Sequence, residues 1–151
     1  HSIEQILQLP DVWERVELYN LHRQDYCEQI ARCSGLYGNV AVIDLREEEL
    51  IYCGNRFLVY ALLPECNVSV YLIRGKQPGT TVIAVGKSIL HRTNPVDVGR
   101  LMLKHAGGGH PAAGTCQIVS DQADAVVPEI VEALNQSIEV EDALRELAGA
   151  F

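Results

Sequence analysis

The chain has 151 residues, of which 48% are hydrophobic and 21% charged. This is the composition of one ordinary globular domain with room for a single core, and it excludes intrinsic disorder. The longest unbroken apolar run, residues 57–63, is far shorter than the roughly 20 residues of a membrane-crossing helix, and no basic-then-apolar leader opens the chain, so neither a spanning nor a secreted protein is expected.

Cys27, Cys33, Cys53, Cys66 and Cys116 are odd in number and form no Cys-x-x-Cys pair. That spacing argues against a disulfide framework and a structural zinc site, and makes a reducing cytoplasm the expected compartment. Residue 1 is His, which suggests a piece of something longer. The formal net charge of −8 hides a segregation. Residues 74–110 hold six basic side chains (Arg74, Lys76, Lys87, Arg92, Arg100 and Lys104) against Asp97 alone, and His91, His105 and His110 fall in the same window. One confined positive surface on an acidic body points to a confined anionic ligand rather than a long nucleic-acid track.

In chain order, three- and four-residue apolar spacing predicts a long amphipathic helix over 12–33, stopped by Gly35 and Gly38. Residues 40–45 read as a buried strand and 47–49 as a solvated acidic connection. Asn55 is placed to cap a helix over 56–63 that Pro64 ends, with a strand as the alternative for so apolar a run. Residues 68–73 and 81–85 read as a hairpin turned by Pro78-Gly79. Asn94, followed by Pro95 and Asp97, marks a helix start whose buried stripe is Val98, Leu101 and Met102, with Gly107-Gly108-Gly109 as its stop. Residues 115–120 read as a strand, 124–135 as a helix in which Pro128 is tolerated because it lies near the start, and 137–148 as a further acidic helix. The predicted fold class is α/β (α+β), a mixed four- to five-stranded sheet flanked by helices and preceded by a long N-terminal amphipathic helix. The expected organisation is a helical linker over 1–35, a substrate-binding domain over 36–136 and a tail helix over 137–151.

The run from Gly107 to Gly114 is the segment whose composition demands explanation, because a helix stop needs one glycine and not three. Successive glycines are able to turn several amides into one concavity, an anion-binding nest, with His110 at its rim as a donor to a phosphate oxygen. The competing reading is a flexible connection with His110 exposed by accident. Gly86-Lys87-Ser88 is not a phosphate-binding loop, since Thr81 stands where the first glycine belongs. Lys87 and Ser88 read as the polar end of a strand, with Ser88 or Arg92 able to face the same pocket as His110, and Ser88 is as well explained by structure as by ligand binding. The three histidines form no metal-ligand array. His22 and Asp25 read as a solvated pair, Cys116 as a buried thiol, and no aromatic cluster in the sequence marks a base-stacking platform.

With Gly107 to Gly114, Val96-Asp97-Val98-Gly99 before it and Ser88 and Arg92 earlier still, the chain resembles the DHH phosphoesterase family, specifically its C-terminal DHH-associated domain, over roughly residues 36–135. The resemblance implies a substrate-gripping half that hydrolyses nothing alone. Its expected partner is an N-terminal DHH catalytic domain holding a pair of manganese ions, and no Asp-His-His triplet occurs here. Implied substrates are short oligonucleotides, nucleotide phosphates or polyphosphate, gripped by Gly107, Gly108, Gly109 and His110 with Arg92 as a clamp and Lys87 as a further candidate to orient the phosphate. Two departures are Ala106, where many members have a fourth glycine, and the spacing between His110 and Gly114, which some members lengthen by one residue. A stand-alone nucleotide- or RNA-binding accessory module is the alternative, and a homodimer is left open.

Overall fold

The computed structural model describes the backbone of residues 2–149 and the side chains through Asn135. A short helix α1 (Ile3–Leu7) leads into α2 (Pro10–Cys33), which carries Pro at its first position and Asp11 in its first turn, both favourable at a helix N-terminus. Strands β1 (Ser34–Tyr37) and β2 (Val40–Asp44) follow, then a 3-10 turn (Arg56–Leu58) running into α3 (Val59–Leu62). Next come β3 (Val68–Arg74), β4 (Thr80–Lys87), α4 (Val98–Leu103), β5 (Gly108–His110), β6 (Ala113–Val119) and α5 (Ser120–Gly149).

The strands form one mixed sheet in the order β1-β2-β3-β4-β6-β5, with β2 and β3 parallel and every other neighbour antiparallel. Six strands rather than four or five result because two short edge strands carry no apolar alternation to announce them. In β1 the glycines expected to stop the first helix are strand and turn. Gly38, with φ +62°, takes the first central position of a two-residue hairpin between Tyr37 and Val40, a conformation that glycine supplies without steric cost. Asn135 of α5 holds this turn, accepting from the Asn39 amide (3.2 Å) and donating to the Tyr37 carbonyl (3.1 Å).

Each face of the sheet buries its own cluster. On one, α4 and α5 set Val98, Met102, Ile130 and Leu134 against Val40, Val70, Ile83 and Cys116. On the other, α2 and α3 set Tyr26, Ile30, Val59 and Tyr60 against Ala41 and Ile43. The alternation of β6 shows how far that second cover reaches: Gly114 and Cys116 are buried, whereas Thr115 and Gln117 are exposed, so the helices leave the β6–β5 end of this face open.

Three boundaries differ from expectation. Asp97, not Asn94, caps α4, its carboxylate accepting from the Arg100 amide (3.0 Å). Asn94 is buried, accepting from Val96 (3.1 Å) and donating to the Leu134 carbonyl (3.1 Å), so it joins the α4 entry to α5 instead. Helix α5 begins at Ser120, which leaves Pro128 in its interior, and its backbone runs without a break through the segment expected as a separate tail helix. The side chains of 136–149, and residues 150 and 151, lie outside the described residues. No helix among the described residues is long and apolar enough to cross a membrane.

The C-terminal end of α2 is fixed by polar contacts. Arg32 makes a two-bond fork to Glu48 (2.6 and 2.8 Å), and Gln29 donates to Glu48 and to the Leu50 carbonyl (both 2.7 Å) while accepting from the Tyr52 amide. The Arg32 guanidinium first, and Gln29 second, hold the Glu48 carboxyl down to about 2, so the folded state binds this proton less readily than the unfolded chain. The stabilisation is therefore complete above the ordinary carboxylate value of 4.5 and is lost as pH falls towards about 2. A Glu48→Gln variant should lack that part of the acid-induced fall in urea midpoint that the parent shows across this window.

Candidate phosphate-binding site

The glycine-rich segment is built by helix termination and strand pairing together. Helix α4 ends with Ala106 at φ +56°, the Gly107 amide donating to Met102 (2.9 Å) and the Ala106 amide to Leu103 (3.3 Å). This is a Schellman cap, with alanine in the left-handed position that usually falls to glycine. Gly108 to His110 then pair with Ala113 to Thr115 as a hairpin turned by Pro111 and Ala112. The three-amide nest expected from the sequence does not form: the Gly107 N–H is consumed by the cap, and Gly108 and Gly109 are extended strand.

Steric room separates the glycines. A Cβ on Gly107 would collide with the Thr115 carbonyl and lie 2.6 Å from Cys116 Cβ, and one on Gly109 would strike the Ala113 carbonyl. On Gly114 it would lie 2.8 Å from the Gly108 carbonyl, and on Gly99 in α4 it would lie 2.8 Å from the Gly109 carbonyl. Gly99 lets α4 approach the backbone of β5, Gly114 makes room for Met102 and Val98 of α4, and Gly107 and Gly109 let the segment after α4 close on β6. Gly108 meets nothing within 4 Å. Strand glycine costs conformational entropy, and one with no neighbour to accommodate leaves bare backbone for something outside the domain.

His110 is exposed beside it, and its Nδ1 accepts from the Ala112 amide (3.2 Å). A nitrogen that accepts is bare, so the ring proton sits on Nε2, which faces away from the turn as a donor. Lys87 reaches the same turn from the end of β4, its amide donating to the Ala112 carbonyl (2.9 Å). Partial burial pushes the Lys87 ammonium below its ordinary value, opposed by the charge of Asp97. Pro111 in turn accepts from the Val98 amide (3.3 Å), seating the hairpin at the start of α4.

The structure thus brings Gly108, Gly109 and His110 together on the hairpin, whereas Lys87 is tied to it only by its backbone amide and, alternating with Gly86, leaves β4 on the α4 face, near Asp97, where sequence reasoning saw only a first-turn acid. Gly99 was equally legible in principle, since a lone glycine inside a helical stripe signals close packing. Ser88 is 3% exposed and its hydroxyl accepts from the amides of Leu90 (3.1 Å) and His91 (3.0 Å), so it holds a turn rather than facing a ligand. Arg92 stands on the exposed strap that follows, its Nε donating to the Ile89 carbonyl (3.2 Å). No hydrogen bond ties it to the hairpin among the described residues. His22 packs edge-on against Tyr52, with ring centroids 5.7 Å apart, instead of forming a solvated pair with Asp25. Among the described residues no three His, Cys, Asp or Glu side chains come together, so this donor set does not fit a manganese ion.

Comparison with known proteins gives this geometry a family. The chain is similar to a pGpG-specific phosphodiesterase, PggH, from Vibrio cholerae, with 51% identity and a TM-score of 0.85 over 90% of this chain and 46% of that one. It also shares the fold of an exopolyphosphatase-related protein from Bacteroides fragilis, with 19% identity and a TM-score of 0.58 over 85% of this chain and 40% of that one. No protein-family model and no curated protein matched. The chain carries the DHH-associated domain of the DHH phosphoesterase family. It spans just under half the length of the phosphodiesterase it matches.

The packing argument fixes the order of three substitutions. Gly107→Ala should destabilise by about 1–3 kcal/mol through overpacking, and Gly108→Ala should be neutral or stabilising by up to about 1 kcal/mol. Ala106→Gly should stabilise by about 1 kcal/mol by relieving the left-handed alanine. Urea denaturation of the three variants checks the series.

Proposed function

We propose that this domain is the substrate-gripping half of a metal-dependent phosphoesterase that acts on short oligonucleotides, a diribonucleotide of the pGpG kind foremost. The observation that supports it best is Gly108, a strand glycine that no packing contact requires, set beside an imidazole whose free N–H faces outward. A phosphate oxygen lodged there receives the His110 Nε2–H, while Lys87, on the α4 face of the same strand end and beside Asp97, contributes positive charge only at longer range. Arg92 is assigned as a clamp that swings from its exposed strap once substrate arrives. The relationship at 51% identity to a pGpG-specific phosphodiesterase favours a dinucleotide over polyphosphate.

In this reading the manganese pair belongs to a separate N-terminal half, and this chain's residues bind and orient the ester without breaking it. The five free cysteines suit a reducing cytoplasm. Titration of the chain with pGpG should give an affinity that falls with salt. His110→Ala should weaken it by about 1.5–3 kcal/mol, the value of a hydrogen bond to a charged group. Unchanged affinity in that variant, or manganese-dependent hydrolysis by the chain alone, would refute this division of labour.

A further inference from the structure

On the α2 and α3 side of the sheet lies a cavity of about 460 Å³, within the size range of small-molecule sites. Its walls bring together Tyr19, Tyr26, Tyr52, Phe57, Tyr60 and Tyr71, and its floor is formed by β3 and β4, including Ala84 and Gly86. The lining is rigid. Tyr60 Oη donates to the Gly86 carbonyl (2.6 Å) and lies 2.8 Å from Ser69 Oγ, while the hydroxyls of Tyr26 and Tyr71 donate to the carbonyls of Asn55 (3.3 Å) and Arg56 (3.2 Å). Burial holds all three phenols protonated by pushing them up. Arg56 stands over the Phe57 ring at 5.0 Å and adds a planar donor fork to the wall.

This cavity connects by register with the hairpin. One cross-strand row reads Tyr71, Ala84, Thr115, Gly108, and the next reads Ser69, Gly86, Ala113, His110. Residues directly opposite across antiparallel strands share a face, so cavity floor, Gly108 and His110 lie on one side of the sheet. Between them stand only Gly, Ala and Thr, on the stretch that no helix covers. Two strand spacings, about 10 Å, separate Ala84 from Gly108. Small side chains along two adjacent rows leave a shallow trough from aromatic wall to phosphate site.

We infer that the tyrosine-lined cavity is a nucleobase site, which takes a guanine of the oligonucleotide whose phosphate rests at Gly108 and His110, the sugar lying along the Ala84–Thr115 trough. Aromatic rings stack any base, and a guanidinium fork matches the paired acceptors O6 and N7 of guanine. The trough rests on the phosphate reading above, whereas the base site does not.

The two are separated by titrating the 151-residue chain with guanosine, with inorganic phosphate and with the dinucleotide, following tyrosine and His110 resonances by NMR. Guanosine should shift the tyrosines, and Ala84→Phe, which fills the floor, should weaken guanosine and dinucleotide about tenfold or more while leaving the phosphate response of His110 intact. Arg56→Ala, at an exposed position that leaves the fold unchanged, should weaken guanosine severalfold and tests the site if Ala84→Phe does not fold. His110→Ala should abolish the phosphate response and spare guanosine. A guanosine response without a phosphate response would overturn the phosphate reading and the trough but support the base site. Absence of any tyrosine shift with guanosine, or guanosine affinity indifferent to both cavity variants, would overturn the base site and leave the phosphate reading standing.

Discussion

Backbone contact between α4 and the β5–β6 hairpin is the constraint on which the site depends. A helix and a strand pair normally stand apart by the thickness of their side chains. Here Gly99 on the helix and Gly114 on the strand remove that thickness, while Gly107 and Gly109 let the segment after α4 close on β6, and each position would drive a Cβ into a carbonyl or a neighbouring carbon. The benefit is rigidity at a sheet edge, where a three-residue strand would otherwise fray. The Schellman cap, the bond from Lys87 to Ala112 and the bond from Val98 to Pro111 secure the same turn from three directions. Gly108 stands out against this, the one member of the triple-glycine run with open space above it.

That arrangement changes the physical picture of phosphate binding from the one the glycine run suggests. A nest draws its strength from converging amides, but here one of them is spent on ending a helix. What remains is a bare strand surface beside an oriented imidazole. Such a surface favours close approach over encirclement, which suits the proposed role, in which the ester is presented to a separate catalytic half. An exposed imidazole fixed by its own turn also needs little reorganisation on binding, so little of its hydrogen-bond energy is spent on ordering.

Much of this was legible in the sequence, and the failures have physical causes. The long first helix, the buried strand after it, the β3–β4 hairpin and the buried stripe of α4 follow from periodicity and turn chemistry, which are local. The Asn55 cap is real, its side chain accepting from the Phe57 amide at 3.0 Å. Strands β1 and β5 escaped because pairing with a distant partner, not alternation, defines them. Asn94 has the composition of a cap but is drawn into the core by Leu134, forty residues away, and the neighbouring aspartate takes its place. The aromatic cluster was invisible for the same reason. Its tyrosines are spread over more than fifty positions, and only the superposition of α2, α3 and the sheet brings them around one space.

The two flanks of the sheet carry a last consequence. Strand β1 has four residues and β5 three, against seven or eight in the centre. Edges so brief offer few unpaired peptide groups to a visiting chain, and the tapering outline blunts the lateral route by which β-rich domains polymerise. A companion that instead comes broadside across the uncovered stretch meets Gly108 before any ladder.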